Sequence, residues 1–225
     1  MNMFKKTHSK GETTRRQILE TALRLFRERG FDEATMRDIA AEADVSLGNA
    51  YYYFRSKEEI VLAYYDLVQT EHARRVHEAF PGQKDFRTRL LTLLHSKLDI
   101  LKDDRPLLGA LFRYTGYPDH PLSFLGSTAK AMQKQCCDLF AEAISVEKIP
   151  DDLRKLAPTL LWAMHMGILL YLLYDKSPEQ QRTRKLVTDS VEFVMMFLSL
   201  ARNPLARPIR KRVMNLLSES GLVEA

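Results

Sequence analysis

Ile18, Ala22, Leu25 and Phe26 recur at the i, i+4, i+7, i+8 spacing of one helical face, and the same period runs through the rest of the chain. No stretch alternates apolar and polar residues as a half-buried strand would. The expected fold class is therefore all-α. The first helix should stop at Gly30, since glycine most readily takes the left-handed backbone that ends a helix. Arg27 and Arg29 sit in its last turn, where positive charge is favourable. Thr35 then caps a short helix with Ile39, Ala40 and Ala43 on its apolar face and Asp38 in the capping-box position. Ser46 caps a third helix soon after, and Ser56 with Glu59 opens a long fourth one running to about Phe80.

Residues 13–55 thus read as three short helices, the last two joined by a tight turn, which is the helix-turn-helix layout. Farther on, breaks fall at Pro81-Gly82, Arg105-Pro106, Tyr117-Pro118, Pro150-Asp151, Ser177-Pro178 and Asn203-Pro204. Proline favours the first helical turn, so the spacing predicts helices near 58–80, 83–102, 106–115, 119–146, 151–174, 179–201 and 205–219. Two domains are expected, 1–57 and 58–225.

Of 225 residues 45% are hydrophobic and 28% charged, too apolar for a disordered chain and enough for a real core. Two cysteines exclude a disulfide-stapled scaffold. The longest uncharged apolar run, Leu160–Tyr174, spans 15 residues and contains His165. A membrane span needs roughly 20, so a buried helix, a cytoplasmic location and no membrane partner are expected. The opening residues also lack the pattern of a secretory signal. Charge is uneven: residues 1–29 carry eight Lys/Arg and three acids, whereas 58–225 carry twenty-three bases and twenty-one acids. A basic arm on a nearly neutral body suits an anionic polymer or surface, although a plain solvated tail has the same composition.

Enzyme signatures are missing: the chain has no P-loop, G-x-G-x-x-G, H-E-x-x-H or G-x-S-x-G. His72 and His77 are five apart and do not share a helical face as an i, i+4 metal pair would. Adjacent Cys136 and Cys137 point about 100° apart on a helix and read as two reduced, buried thiols, with redox sensing as the alternative. No catalytic residue, metal or cofactor is expected.

On the third helix, Ala50 and Phe54 fall on the side that packs against the first two, and Gly48, Asn49 and Tyr52 on the opposite side. Tyr51 and Tyr53 flank that outer face. Glycine inside a helix costs about 1 kcal/mol relative to alanine, which makes sense where something approaches the backbone closely. Asparagine can pair bidentately with an adenine edge, and aromatic atoms can meet a thymine methyl. Tyrosine and capping hydroxyls suit phosphate oxygens. The same pattern is compatible with a small hairpin of three packed tyrosines.

Thr14-Arg15-Arg16-Gln17-Ile18-Leu19, Ala22 to Phe31, Ala34 to Ala40 and Ala43 to Glu59 resemble the DNA-binding domain of the tetracycline-repressor (TetR) family. The departures are Asp44 in place of the turn glycine before Val45, Leu47 after Ser46, Ala50 for a core leucine and Tyr53 for a histidine. Asp44 must then hold an unusual turn backbone, which Asp tolerates better than most residues. The resemblance implies that Thr35, Arg37, Tyr51, Tyr53 and Lys57 hold phosphates, with capping Ser46 beside them, while Leu47, Gly48, Asn49 and Tyr52 face bases.

The resemblance further implies a ligand-responsive regulator, most often a repressor, whose C-terminal helical domain binds an effector and pairs two copies on double-stranded operator DNA. The chain offers matching segments. Leu160–Tyr171 is apolar nearly all round, and Val187, Val191, Val194, Met195, Leu198 and Leu200 continue the pattern. Such helices need partners on every face, from a homodimeric four-helix bundle or from one thick monomer core. An apolar or aromatic effector of unknown identity would meet Phe112, Tyr114, Met132, Cys136, Phe140, Trp162, His165, Met166 and Tyr171. Each of these could equally be simple core, with His165 as the polar handle or an ordinary buried histidine.

Overall fold

A computed structural model of the chain describes residues 10–219 except 115, 118, 124, 125, 127 and 128. Lys5 and Lys6 of the basic arm lie outside the described residues. Ten α-helices and no strand occur among the described residues. The described residues of Met1–Glu71 and Asp103–Met132 form one compact unit, and those of His72–Lys102 and Gln133–Ala225 a second.

In the first unit, α1 (Lys10–Arg29) buries Ile18, Leu19, Ala22, Leu23, Leu25 and Phe26 and stops at Gly30, whose φ is +90°. Helix α2 (Met36–Glu42) opens with the reciprocal capping box: Asp38 N donates to Thr35 Oγ1 at 3.1 Å and Thr35 N to Asp38 Oδ2 at 2.9 Å. The Thr35 hydroxyl, which donates to Asp38 Oδ2 at 2.6 Å, and the Thr35 backbone N–H hold the Asp38 carboxyl below its ordinary range. The turn into α3 (Leu47–Tyr53) closes with Val45 N on Ala40 O at 3.0 Å and Asp44 N on Ala41 O at 3.3 Å. That is the Schellman pattern, with Asp44 at the position glycine usually fills and a φ of +50°. Gln17 ties α1 to this turn through Ala43 O at 2.8 Å. Ser46 caps α3 by accepting from Asn49 N at 3.1 Å.

Helix α4 (Lys57–Ala79) belongs to both units. Its opening differs from the expected box: Ser56 Oγ accepts from Glu59 N at 3.3 Å, but the Glu59 carboxylate reaches back one residue farther, to Arg55 N at 2.5 Å. The first unit extends past residue 57 because the Tyr65 hydroxyl donates to Leu107 O at 2.7 Å, on α6 (Arg105–Arg113). Burial pushes the phenols of Tyr64 and Tyr65 well up.

The second unit holds α5 (Phe86–Leu101), α8 (Asp151–Tyr174), α9 (Gln181–Ala201), α10 (Arg207–Glu219) and most of α7 (Lys130–Ile144). The expected helix over 119–146 forms only from Lys130. Before it, His120 N bonds Tyr117 O, Ser123 N bonds His120 O, Gly126 N bonds Ser123 O and Ala129 N bonds Gly126 O. The backbone N–H groups of these four residues thus reach back three positions and not four. Helix α8 keeps Pro158 in its interior. It is also long and apolar enough to cross a membrane, yet Leu153, Leu156, Leu161, Trp162, His165, Ile168, Leu169 and Leu172 are buried within this unit. Asp175 ends α8 and anchors the start of α9, accepting from Thr183 N at 2.8 Å and Thr183 Oγ1 at 2.6 Å. Those bonds and others from Ser177 hold its carboxyl far below the usual range despite burial.

Candidate nucleic-acid interface

Helix α3 presents two sides. Ala50 is fully buried and Phe54, just past its end, nearly so, with the Arg15 guanidinium 4.6 Å from the Phe54 ring centroid. On the other side Leu47, Gly48, Tyr51 and Tyr52 are exposed, Tyr52 to 80%. A Cβ built on Gly48 meets nothing within 4 Å. Packing therefore does not require glycine there; it leaves the backbone of an outer face bare. Asn49 and Tyr53 are half-buried, and the Tyr53 ring meets Tyr52 edge-on at 5.1 Å. Thr35, Arg37 and Ser46 are exposed beside this face at the starts of α2 and α3.

Lys57 is differently placed. Its Nζ donates to Phe31 O at 2.7 Å and Asp32 O at 3.1 Å and lies 4.7 Å from the Phe31 ring centroid. Burial lowers its pKa. Two of its three N–H groups hold the turn after α1, and one is left to reach outward.

Sequence reasoning missed the polar ties behind this face. Arg24 and Arg29 of α1 both pair with Glu42 of α2, Arg29 at 2.7 Å. Arg27 Nε donates to Asp104 Oδ1 at 2.5 Å, and the Tyr64 hydroxyl donates to Asp104 Oδ2. No sequence pattern links residues so far apart.

Two models of protein families match the chain. "Bacterial regulatory proteins, tetR family" covers residues 18–64, and "Tetracyclin repressor-like, C-terminal domain" covers 89–213. The chain belongs to the TetR family. The two matched segments are the N-terminal and C-terminal domains of that family of bacterial regulatory proteins. The chain is 39% identical over 70 residues to the regulator TtgR of Pseudomonas putida, covering 31% of this chain and 33% of TtgR. The chain thus spans about a third of the length of that relative. To the regulator PksA of Bacillus subtilis it is 25% identical over 185 residues, covering 81% of this chain and 90% of PksA. A TetR regulator structure from Nitrosomonas europaea shares the fold, with a TM-score of 0.65 and 20% identity over 80% of this chain and 96% of that one.

The residues expected around an effector divide between the two units. Phe112, Tyr114 and Met132 belong to the first. There Tyr114 stacks on His120 at 3.7 Å between ring centroids and meets Phe31 edge-on at 6.3 Å. Cys136, Phe140, Trp162, His165, Met166 and Tyr171 belong to the second. Phe140 and His165 stand edge-on at 5.8 Å, Trp162 is buried, Cys136 and Met166 are half-buried, and Tyr171 is exposed. Burial raises the Cys137 thiol to about 11, which makes it a poor nucleophile. Lys97 went unremarked in the sequence, yet it sits at helical spacing among Leu90, Leu93, Leu94, Leu98 and Leu101, all buried with it.

Proposed function

We propose that this regulator is a soluble, cytoplasmic, homodimeric repressor that leaves its operator when a small, largely apolar effector binds the second unit. The observation that carries the DNA reading is the outer face of α3. A helix of seven residues displays Gly48 and Tyr52 outward while Ala50 is buried beneath them. In helix-turn-helix proteins the second helix of the motif reads base edges, and a two-fold dimer places two such helices about 34–36 Å apart. On this reading residues 1–57 bind DNA and 58–225 bind effector and the second copy.

Pairing is supported by an apolar face on the second unit. Leu160, Leu170 and Tyr171 of α8 and Phe193, Met196, Phe197 and Leu200 of α9 are exposed together with a groove between the two helices. Effector action requires only that the effector binds one tilt of α4 better than another. That coupling is reciprocal.

The test is selection of bound DNA from a random pool by the full chain, followed by affinities on the selected and a scrambled duplex. A palindromic site is expected. Asn49→Ala should lose roughly 1–3 kcal/mol on it and little on scrambled DNA. A chain that enriches no sequence refutes the reading.

A further inference from the structure

Besides the apolar groove between α8 and α9, the second unit carries an open cleft of about 680 Å3 between the start of α8 and α10, and the two share no lining residue. Its walls are charged. Asp151, Asp152 and Lys155 line it from α8, and Arg207, Arg210, Lys211 and Asn215 from α10. Arg207, Lys211 and Asn215 follow at i, i+4 and i+8, so they form one row along a face of α10.

One pair of these charges is matched. Arg210 Nε donates to Asp152 Oδ2 at 3.0 Å, and its Nη1 donates to Ala201 O and, at 3.4 Å, to Asn203 O. These bonds fix a guanidinium whose side chain is only 11% exposed, and its Nη2 has no partner among the described residues. The other charges are unmatched: Lys155, Arg207, Lys211 and Asp151 make no hydrogen bond or ion pair with any described residue. Like charges at i, i+4 repel, and Arg207 and Lys211 stand at that spacing with Lys155 on the opposite wall.

Four bases against two carboxylates leave the cleft at +2. An entering anion turns the repulsion among the bases into attraction. The guanidinium forks of Arg207 and Arg210 suit the paired oxygens of a phosphate. A charge of +2 matches a phosphomonoester dianion and exceeds what one carboxylate offsets. The volume falls in the range of small-molecule sites, and the Asn215 amide can both donate to and accept from a neutral polar body.

We propose that the cleft between the start of α8 and α10 binds a small phosphomonoester, with its phosphate held among Lys155, Arg207, Arg210 and Lys211 and its polar body beside Asn215. Such a ligand is separate from the apolar effector of the second unit, and it would bridge α8 and α10.

The experiment measures calorimetric binding of ribose 5-phosphate, ribose and acetate to the full chain at constant ionic strength. Ribose 5-phosphate should bind at least about tenfold more tightly than either of the others. Lys155→Gln, Arg207→Gln and Lys211→Gln, all at exposed positions that should leave folding intact, should each weaken it several-fold or more. Asp151→Asn removes the unmatched carboxylate and should tighten it. Two controls remove the same charge elsewhere: Lys134→Gln on α7, and Arg37→Gln beside the DNA-binding face. Both should bind ribose 5-phosphate as the native chain does. Ribose 5-phosphate that binds no better than ribose, or binds all three glutamine variants as tightly as the native chain, overturns the proposal. So does weaker binding by Asp151→Asn, or a loss in either control equal to that in the cleft variants. The regulator reading fails separately, when the native chain selects no DNA sequence.

Discussion

Arg27 of α1 and Asp104, at the start of α6, meet at 2.5 Å through Nε and Oδ1, and the Tyr64 hydroxyl of α4 donates to the other carboxylate oxygen. One nearly buried carboxylate thus joins three helices of the first unit. The arrangement locks the orientation of α1, which carries the helix-turn-helix, against α4 and α6. Asp104→Ala would strand the largely buried phenol and release the half-exposed guanidinium. A loss of about 2–3 kcal/mol in urea unfolding is expected, toward the low end of buried pairs because Arg27 keeps contact with water. Asp104→Asn still accepts from Tyr64 and should lose less. Equal losses would mean that charge alone matters at this position.

Asp44 works against its backbone. A left-handed φ costs a non-glycine residue roughly 1–2 kcal/mol, and glycine recovers part of that against its greater freedom when unfolded. Asp44→Gly should therefore stabilise the chain by about 0.5–1 kcal/mol, and Asp44→Ala should destabilise it. Thermal unfolding of the pair checks the signs.

Lys57→Ala should have two effects that a pure phosphate contact would not combine. Loss of the bonds to Phe31 and Asp32 should cost about 1 kcal/mol of stability. Loss of the remaining N–H from a phosphate should flatten the salt dependence of DNA binding by about one ion per subunit. An unchanged slope with lowered stability would make Lys57 a structural residue only.

Charges placed on the exposed apolar face should separate the two copies. Phe193 is 62% exposed and Phe197 is exposed beside it, so Phe193→Asp or Phe197→Asp should leave the monomer folded, shift sedimentation to the monomer and weaken operator binding. A stable interface here would bury over about 1,000 Å² in total. Val191, an obvious choice from the periodicity, is fully buried inside the unit, so a charge there would test the core instead. Variants of Phe193 that remain dimeric would place the interface elsewhere.

Acid should unfold the protein through its buried histidines. His165 titrates near 6.5 when unfolded and near 3 when folded. Between those values the unfolded chain binds the extra proton. Stability is therefore full above about pH 6.5 and falls as pH drops toward 3, by up to about 1.4 kcal/mol per pH unit for this one group. His72 adds to the same slope, its pKa being lowered too. His165→Phe should flatten the fall; an unchanged slope would show that His165 is not protonated on unfolding.

Much of this was legible in the chain itself because its causes are local. Thr35, Ser46 and Gly30 end or start helices through bonds spanning three or four residues, and Asp44 stands out as the wrong residue for a left-handed turn. The outward side of α3 follows from a 100° step per residue, and its use follows from the family resemblance. Of the expected helix over 119–146 only the part from Lys130 forms, and no capping signal in the sequence marks that start.

Local sequence had no means to show which distant groups share a buried space. Arg27 and Asp104 lie 77 positions apart, and nothing in their neighbours marks them as a pair. Val191 and Phe193 are both apolar and two residues apart, yet one is core and the other surface, because only packed neighbours decide which helical face loses water. His165 was legible as a polar residue on an apolar helix. That its ring nitrogens go unpaired among the described residues, in the field of a lysine from another helix, was decided by the tertiary fold, since hydrogen-bond satisfaction and electrostatic field are properties of the assembled core.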